Sequence, residues 1–296
     1  MFKKFLLILP LTLFFCIQDN PKNINLEKVD NSHDFYKSYS KYTNPGKYAY
    51  LFESLPDSLK DLCELIKCQF IHPVDLDPYK DIIPENRHYE DRKFPSAERL
   101  LAGLLALDSN GFTYERKPEN RLVVTCRYHS ILLASILKSS GIPVRLRYGF
   151  APYLAPETNL HISHAICEVW NKKEKRWMFV DPDRKMVDFP RDEFETGNEA
   201  WKALRNGEVK DANKYGVPDT WGEIMILGTI YQDFLCVMGY EPLYWEYPKT
   251  QFLTQKIDSL SPEKLKVLDK IALLMNNPDE NLNELMEIYK EKKFLH

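Results

Sequence analysis

The chain has 296 residues, 44% of them hydrophobic and 28% charged, which is enough apolar material for one large core and excludes wholesale disorder. Forty Lys and Arg against forty-three Asp and Glu give a formal net charge of −3, so no global positive field exists to hold nucleic-acid phosphates, and nucleic acid is excluded as a principal partner. Six cysteines, at 16, 63, 68, 126, 167 and 236, are too sparse and irregular for a disulfide scaffold, and no pair has metal-site spacing.

At the start, Lys3 and Lys4 precede an apolar run from Phe5 to Ile17 broken only by Thr12, and the chain then turns polar. This is the layout of an export signal, too short to span a bilayer. Leu13-Phe14-Phe15-Cys16 resembles a bacterial lipoprotein box except at Phe15, where a small residue is expected, so Cys16 is a candidate lipidation point. The expectation is an exported, periplasmic or membrane-anchored protein attached through its N-terminus. A cytoplasmic protein with an uncleaved start is the alternative.

Residues 18–45 are rich in Asn, Asp, Lys and Ser and read as a flexible tether, with order expected from about Tyr48. Asp57 is placed to cap a helix whose buried face is Leu59, Leu62, Leu65 and Ile66 and which stops by Pro73; Cys63 and Cys68 read as core thiols on it. Ser96 is placed to cap a second helix carrying Leu100, Leu101, Leu104 and Leu105 up to Asn110-Gly111.

The centre changes pattern. A helix is predicted from Cys126 to Lys138, closed by Gly141 and Pro143, and three strand-like runs follow at 144–150, 163–170 and 176–182, with KKEK as the turn between the last two. A helix packed on an antiparallel sheet is the economical architecture. Beyond Trp201 the chain is helical again; Gly222, Gly228 and Gly239 suggest close helix packing, and Ser261-Pro262-Glu263 and Asn277-Pro278 delimit a last helical pair.

Cys126 stands at a predicted helix start, where unpaired N–H groups and the macrodipole favour an anion, and Arg127 adds a positive charge. His164 lies inside one predicted strand and Asp181 at the end of the next, so a hairpin can bring them together. A thiol, an imidazole to exchange its proton and a carboxylate to hold the imidazole tautomer form a nucleophilic unit. His161 is an alternative imidazole and Asp183, of the same strand parity as Asp181, an alternative carboxylate. His129 lies one turn after Cys126, Trp170 and Trp177 read as core residues flanking the hairpin, and Arg121 as an anchor for the loop before the helix.

CRYHSILLASILKSSGIPVRLRYGF, HAICEVW and RWMFVDPD, in this order, resemble the transglutaminase-like superfamily, closest to a bacterial branch in which Arg follows the Cys. LFESLPDSLKDLCELIKCQFIH before them and YGVPDTWGEIMILGTIYQDF after them extend the resemblance over roughly 46–250. It implies an α+β, papain-like core with a nucleophile-bearing helix on an antiparallel sheet and additional helices at both ends. It further implies Cys126 as nucleophile, His164 rather than His161 as base, Asp181 as orienting carboxylate, a peptide or protein substrate, and no metal or cofactor. The expected organisation is a signal at 1–17, a tether at 18–45, the transglutaminase-like domain at 46–250 and a helical extension at 251–296. The expected activity is acyl transfer on a peptide or carboxamide, hydrolysis favoured over cross-linking; the alternative is a non-catalytic peptide-binding or assembly module.

Overall fold

The structure is a computed structural model that describes residues 31–246 and 257–291. The expected signal, Cys16 and the expected tether up to residue 30 lie outside the described residues. In chain order the elements are α1 (Ser32–Lys37), α2 (Leu59–Gln69), β1 (Phe70–Ile71), α3 (Ala97–Leu107), β2 (Leu122–Val123), α4 (Cys126–Ser139), β3 (Val144–Ala151), β4 (His161–Asn171) and β5 (Arg176–Asp181). These are followed by β6 (Met186–Val187), β7 (Glu195–Thr196), α5 (Gly197–Arg205), β8 (Tyr215–Val217), β9 (Thr220–Trp221), α6 (Glu223–Val237), α7 (Pro262–Leu274) and α8 (Leu282–Glu291).

The fold is α+β. Antiparallel neighbours run in the order β6-β5-β4-β3-β7, with β8 joining β4 in parallel and β9 pairing β8; β1 and β2 form a separate parallel pair. The register sets Trp170 opposite Trp177 and Gly149 opposite His164. Helix α4 packs on one side of this sheet. Its Ile131, Leu132 and Leu133 share a core with Leu62 and Ile66 of α2, Leu100 and Leu101 of α3, and Leu146, Ala165 and Cys167 of the sheet. Ser130 Oγ fixes the contact by donating to the Ala165 carbonyl at 3.0 Å.

The polar positions that alternate along β3 do not face water. Arg145 and Arg147 are buried, and a second layer made of α5 to α8 covers that face. Arg147 Nε bonds Asp233 Oδ1 of α6 at 2.7 Å, Arg145 Nε bonds Glu168 Oε2 at 2.7 Å, and Arg145 Nη1 reaches Asp279 Oδ1 in the α7–α8 connection at 2.8 Å. Removing one partner of such a network strands a buried charge, so it dictates which layer docks there more than it adds net stability. Residues 257–291, part of the expected extension, are thereby integrated into the main body. A polar cavity of about 360 Å³ lies beside this network, and its walls include none of Cys126, His164 and Asp181.

Several local expectations change. Ser58, not Asp57, caps α2, accepting from the Asp61 N–H at 3.2 Å, and the helix ends at Gln69 before Pro73. Gly222 and Gly239 have φ of +112° and +71° and flank α6, a backbone role that glycine's missing Cβ permits; a Cβ at Gly239 would also lie 3.2 Å from the Phe35 ring, and one at Gly197 2.7 Å from the Thr229 carbonyl oxygen. Residues 31–45, expected as tether, are packed: Tyr36 is 1% and Tyr42 5% exposed, Tyr36 Oη donates to the Val237 carbonyl, and the His33 ring lies 4.0 Å from that of Trp170. Their partners lie far along the chain, 201 residues away in the case of Tyr36 and Val237, so no local period announces the contact. Among the described residues no helix is long and apolar enough to cross a membrane.

Candidate active site

Strand β2 leads directly into α4, with Thr125 as N-cap residue. A threonine there usually turns its hydroxyl back onto the first-turn N–H groups. Here Thr125 Oγ1 instead donates to Asp91 Oδ2 at 2.8 Å, and the Thr125 N–H donates to Asp91 Oδ1 at 3.0 Å. No side chain caps α4, so its first N–H groups, that of Cys126 included, keep their donor capacity. Cys126 is 5% exposed, and its Sγ lies 3.5 Å from Tyr244 Oη.

His164 and Asp181 meet across the hairpin, with His164 Nε2 2.8 Å from Asp181 Oδ2. Tyr153 Oη donates to the same oxygen at 2.7 Å, while Asp181 Oδ1 accepts the N–H groups of Asp183 and Arg184 at 2.9 and 3.1 Å. Both carboxylate oxygens are thus held in place. With Nε2 engaged, Nδ1 is the ring nitrogen left for the thiol.

Burial opposes charge on every member, and neighbouring charges reverse its effect. Burial would raise the Cys126 thiol, but the charge and hydrogen bond of His164, followed by His72, bring it down to about 6. Burial would lower His164, yet the negative charges of Asp181 and then Cys126 raise it well above the usual imidazole value. Asp181, raised by burial, is lowered on balance by His164. The favoured state near neutral pH is a thiolate beside an imidazolium. The buried core thiols are shifted the other way: burial pushes Cys63 up to about 12 and holds Cys167 and Cys236 well above the ordinary range.

Arg127 does not serve the thiol. Its buried guanidinium donates to the carbonyls of Pro242 at 2.9 Å, Glu241 at 2.6 Å and Pro95 at 3.3 Å, and so fastens the segment that carries Tyr244. His129 is fully buried behind Cys126; its Nδ1 lies 3.1 Å from the Thr125 carbonyl oxygen and its Nε2 3.5 Å from Asp183 Oδ1. Asp183 is committed to Lys67 Nζ at 2.6 Å, and His161 to Glu195 at 3.1 Å and to a stack on Tyr215. Arg121 Nε donates to the Arg116 carbonyl at 3.0 Å within the loop before β2. Trp170 and Trp177 are half-buried, and Trp177 Nε1 donates to Asp279.

Tyr244, Tyr153, Asp91 and His72 escaped the sequence reading. His72 follows β1, a two-residue strand too short to leave a period, and Tyr244 lies in a segment without regular secondary structure that long-range bonds, those of Arg127 among them, tie to the site. Among the described residues no group of three or more His, Cys, Asp or Glu side chains could hold a metal ion.

Residues 116–182 match the family model of the transglutaminase-like superfamily, a segment that includes Cys126, His164 and Asp181. A comparison with curated proteins gave no match. A solved structure from Cytophaga hutchinsonii, named as a putative cysteine protease, is similar at 13% identity and a TM-score of 0.34, over 58% of this chain and 48% of that one. The chain therefore spans about half the length of that protein, a likeness too distant to carry weight for the fold. The family match stands on its own, and it makes residues 116–182 of this chain a transglutaminase-like core.

Proposed function

We propose that the chain is a cysteine acyl-transfer enzyme acting on a peptide or carboxamide, with Cys126 as nucleophile, His164 as proton carrier and Asp181 as its orienting partner. The observation that carries this reading is the pairing of a thiol lowered to about 6 with an imidazole whose far nitrogen is 2.8 Å from a buried carboxylate. Cys126 Sγ forms a bond to the carbonyl carbon, the π electrons move to oxygen, and the tetrahedral oxyanion faces the uncapped start of α4. As the C–N bond breaks, the amine or ammonia leaves with the proton of His164, and an acyl-thioester remains. Water, deprotonated by the now neutral His164, completes hydrolysis; an amine in its place completes cross-linking. Hydrolysis is the proposed outcome. Export is part of the same proposal and rests on the sequence of residues 3–17 alone.

The burial of Cys126 beside Tyr244 favours a second reading, a peptide-binding module that keeps the fold without turnover. Iodoacetamide separates the two. The acyl-transfer reading expects Cys126 to be alkylated at neutral pH at least tenfold faster than any other thiol, and Cys126→Ala to lose both labelling and acetyl transfer from p-nitrophenyl acetate while remaining folded. A wild-type Cys126 that reacts no faster than the buried core thiols would leave the binding module.

A further inference from the structure

Acyl transfer through Cys126 needs two donors at the oxyanion, and the start of α4 offers the N–H of Cys126 as one. The second must reach the same side of the thiol from outside the helix. Strand β1 pairs with β2 in parallel, Ile71 beside Val123, and the Val124 N–H donates to the Ile71 carbonyl at 3.0 Å, so the chain after β1 runs alongside the chain that enters α4. His72 is the first residue after β1 and Cys126 the first of α4. The two imidazoles near the thiol therefore come from different sheets, His164 from the main sheet and His72 from the small parallel pair.

The tautomer of His72 is set by its own backbone. The Val74 N–H donates to His72 Nδ1 at 3.2 Å, in the role of a cap for the short turn that follows. A nitrogen that accepts carries no proton, so in the neutral ring the proton resides on Nε2 and that nitrogen is a donor. His72 also lowers the Cys126 thiol, after His164, as expected of a ring that the pairing of β1 with β2 carries to the chain entering α4. His164 is differently employed: its Nε2 is taken by Asp181, and the remaining nitrogen must exchange the substrate proton. One imidazole is thus wired as a proton carrier and the other as a fixed donor.

We infer that His72 is a catalytic residue, the side-chain half of the oxyanion hole, donating from Nε2 to the carbonyl oxygen of the acyl group on Cys126 while the Cys126 N–H supplies the other half. The inference rests on the acyl-transfer reading. Beyond its share, after His164, in lowering the Cys126 thiol, His72 takes no part in transferring the proton: no bond to His72 forms or breaks, and its N–H strengthens a hydrogen bond as negative charge develops on oxygen.

The test compares two reactions of one thiol. Acetyl transfer from p-nitrophenyl acetate to Cys126 passes through an oxyanion, whereas alkylation by iodoacetamide displaces iodide without one. Both are measured on the full chain at a pH where Cys126 is fully ionised, by mass spectrometry of the Cys126 peptide. His72→Leu, which removes the donor, is expected to slow acetylation by about 10²-fold and alkylation by less than threefold. His72→Gln, whose amide nitrogen stands where Nε2 did, is expected to recover at least tenfold of the acetylation rate. An acetylation rate in His72→Leu within threefold of wild type would overturn the inference. So would equal losses in both reactions, since His72 would then act on the sulfur and not on the oxyanion. Failure of the underlying reading is seen elsewhere, as a Cys126→Ala variant that keeps its acetyl-ester turnover.

Discussion

His164 Nε2 and Asp181 Oδ2 lie 2.8 Å apart, and His129 Nε2 and Asp183 Oδ1 lie 3.5 Å apart, in two imidazole–carboxylate pairs that border the same helix start. All four side chains are buried, so burial does not separate them. Their charge states nevertheless diverge. His164 is raised well above the ordinary imidazole value, whereas burial brings His129 down to about 4, the pull of Asp183 being offset by the charges of Lys67 and His72. The difference lies in who else holds each carboxylate. Asp183 is claimed by Lys67 at 2.6 Å, while Asp181 takes only neutral donors besides His164, and Cys126 adds a negative charge on the other side of that ring. An imidazole and a carboxylate in contact do not by themselves make an acid–base unit; a competing lysine can leave the ring neutral and structural.

The largest effect expected from breaking the comparison is on catalysis. Asp181→Asn keeps the shape but favours the wrong tautomer of His164, so acetyl transfer to Cys126 should fall by about 10³–10⁴-fold. His129→Asn, whose amide can still donate to the Thr125 carbonyl, should cost less than tenfold. His164→Ala should match Asp181→Asn, and the double variant should be no worse than the more damaged single one, since members of one unit are not additive. Comparable losses at His129 and His164 would erase the distinction.

The second effect is on the pH dependence of labelling. Because the thiol is lowered to about 6, thiolate accumulates as pH rises through that value, and the rate of Cys126 alkylation should climb with a midpoint near 6 and then level off. Removing the imidazolium in His164→Ala should move the midpoint upward toward about 8.5, the free thiol value. A midpoint unchanged in that variant would mean that His164 does not hold the thiolate.

The third effect is on stability. His129 has its folded value depressed to about 4 against about 6.5 when unfolded, so between those values the unfolded chain binds a proton that the folded one refuses. Stability should therefore fall as pH drops from 6.5 to 4, by roughly 3 kcal/mol from this group at about 1.4 kcal/mol per pH unit. His164, raised in the folded state, contributes stability that is lost at the other end, as pH rises above 6.5 toward its folded value. Melting temperatures across pH 4–7 should show the acid slope in wild type and a flatter one in His129→Asn.

The smallest expected effect sharpens the comparison directly. Lys67→Gln frees Asp183 to serve His129, so the ring should take up a proton at a higher pH than about 4, by around one unit. An NMR titration of His129 would follow it. Burial tends to raise the Asp183 carboxyl, but its neighbours His129, His72 and Lys67 hold it below the ordinary carboxylate range, so its substitution should destabilise the fold.

The sequence by itself determined the elements whose contacts are local or repeat in period: α4 beginning at Cys126, the three strands with their KKEK turn, Ser96 and Ser261 as caps, and the nomination of Cys126, His164 and Asp181 from one ordered set of motifs. Those features are written in neighbouring residues, as helix and strand periods and capping chemistry are. Tertiary structure alone decided the rest. Arg127 was legible as a charge beside Cys126, yet which carbonyls it meets depends on residues 241–242 arriving from the far end of the domain. Whether Arg145 and Arg147 face water or a buried carboxylate depends on α6 and the α7–α8 connection folding over β3. The charge of a buried histidine is likewise a property of its whole surroundings, because the Lys67 that competes for Asp183 lies 116 residues away along the chain and at 2.6 Å in space.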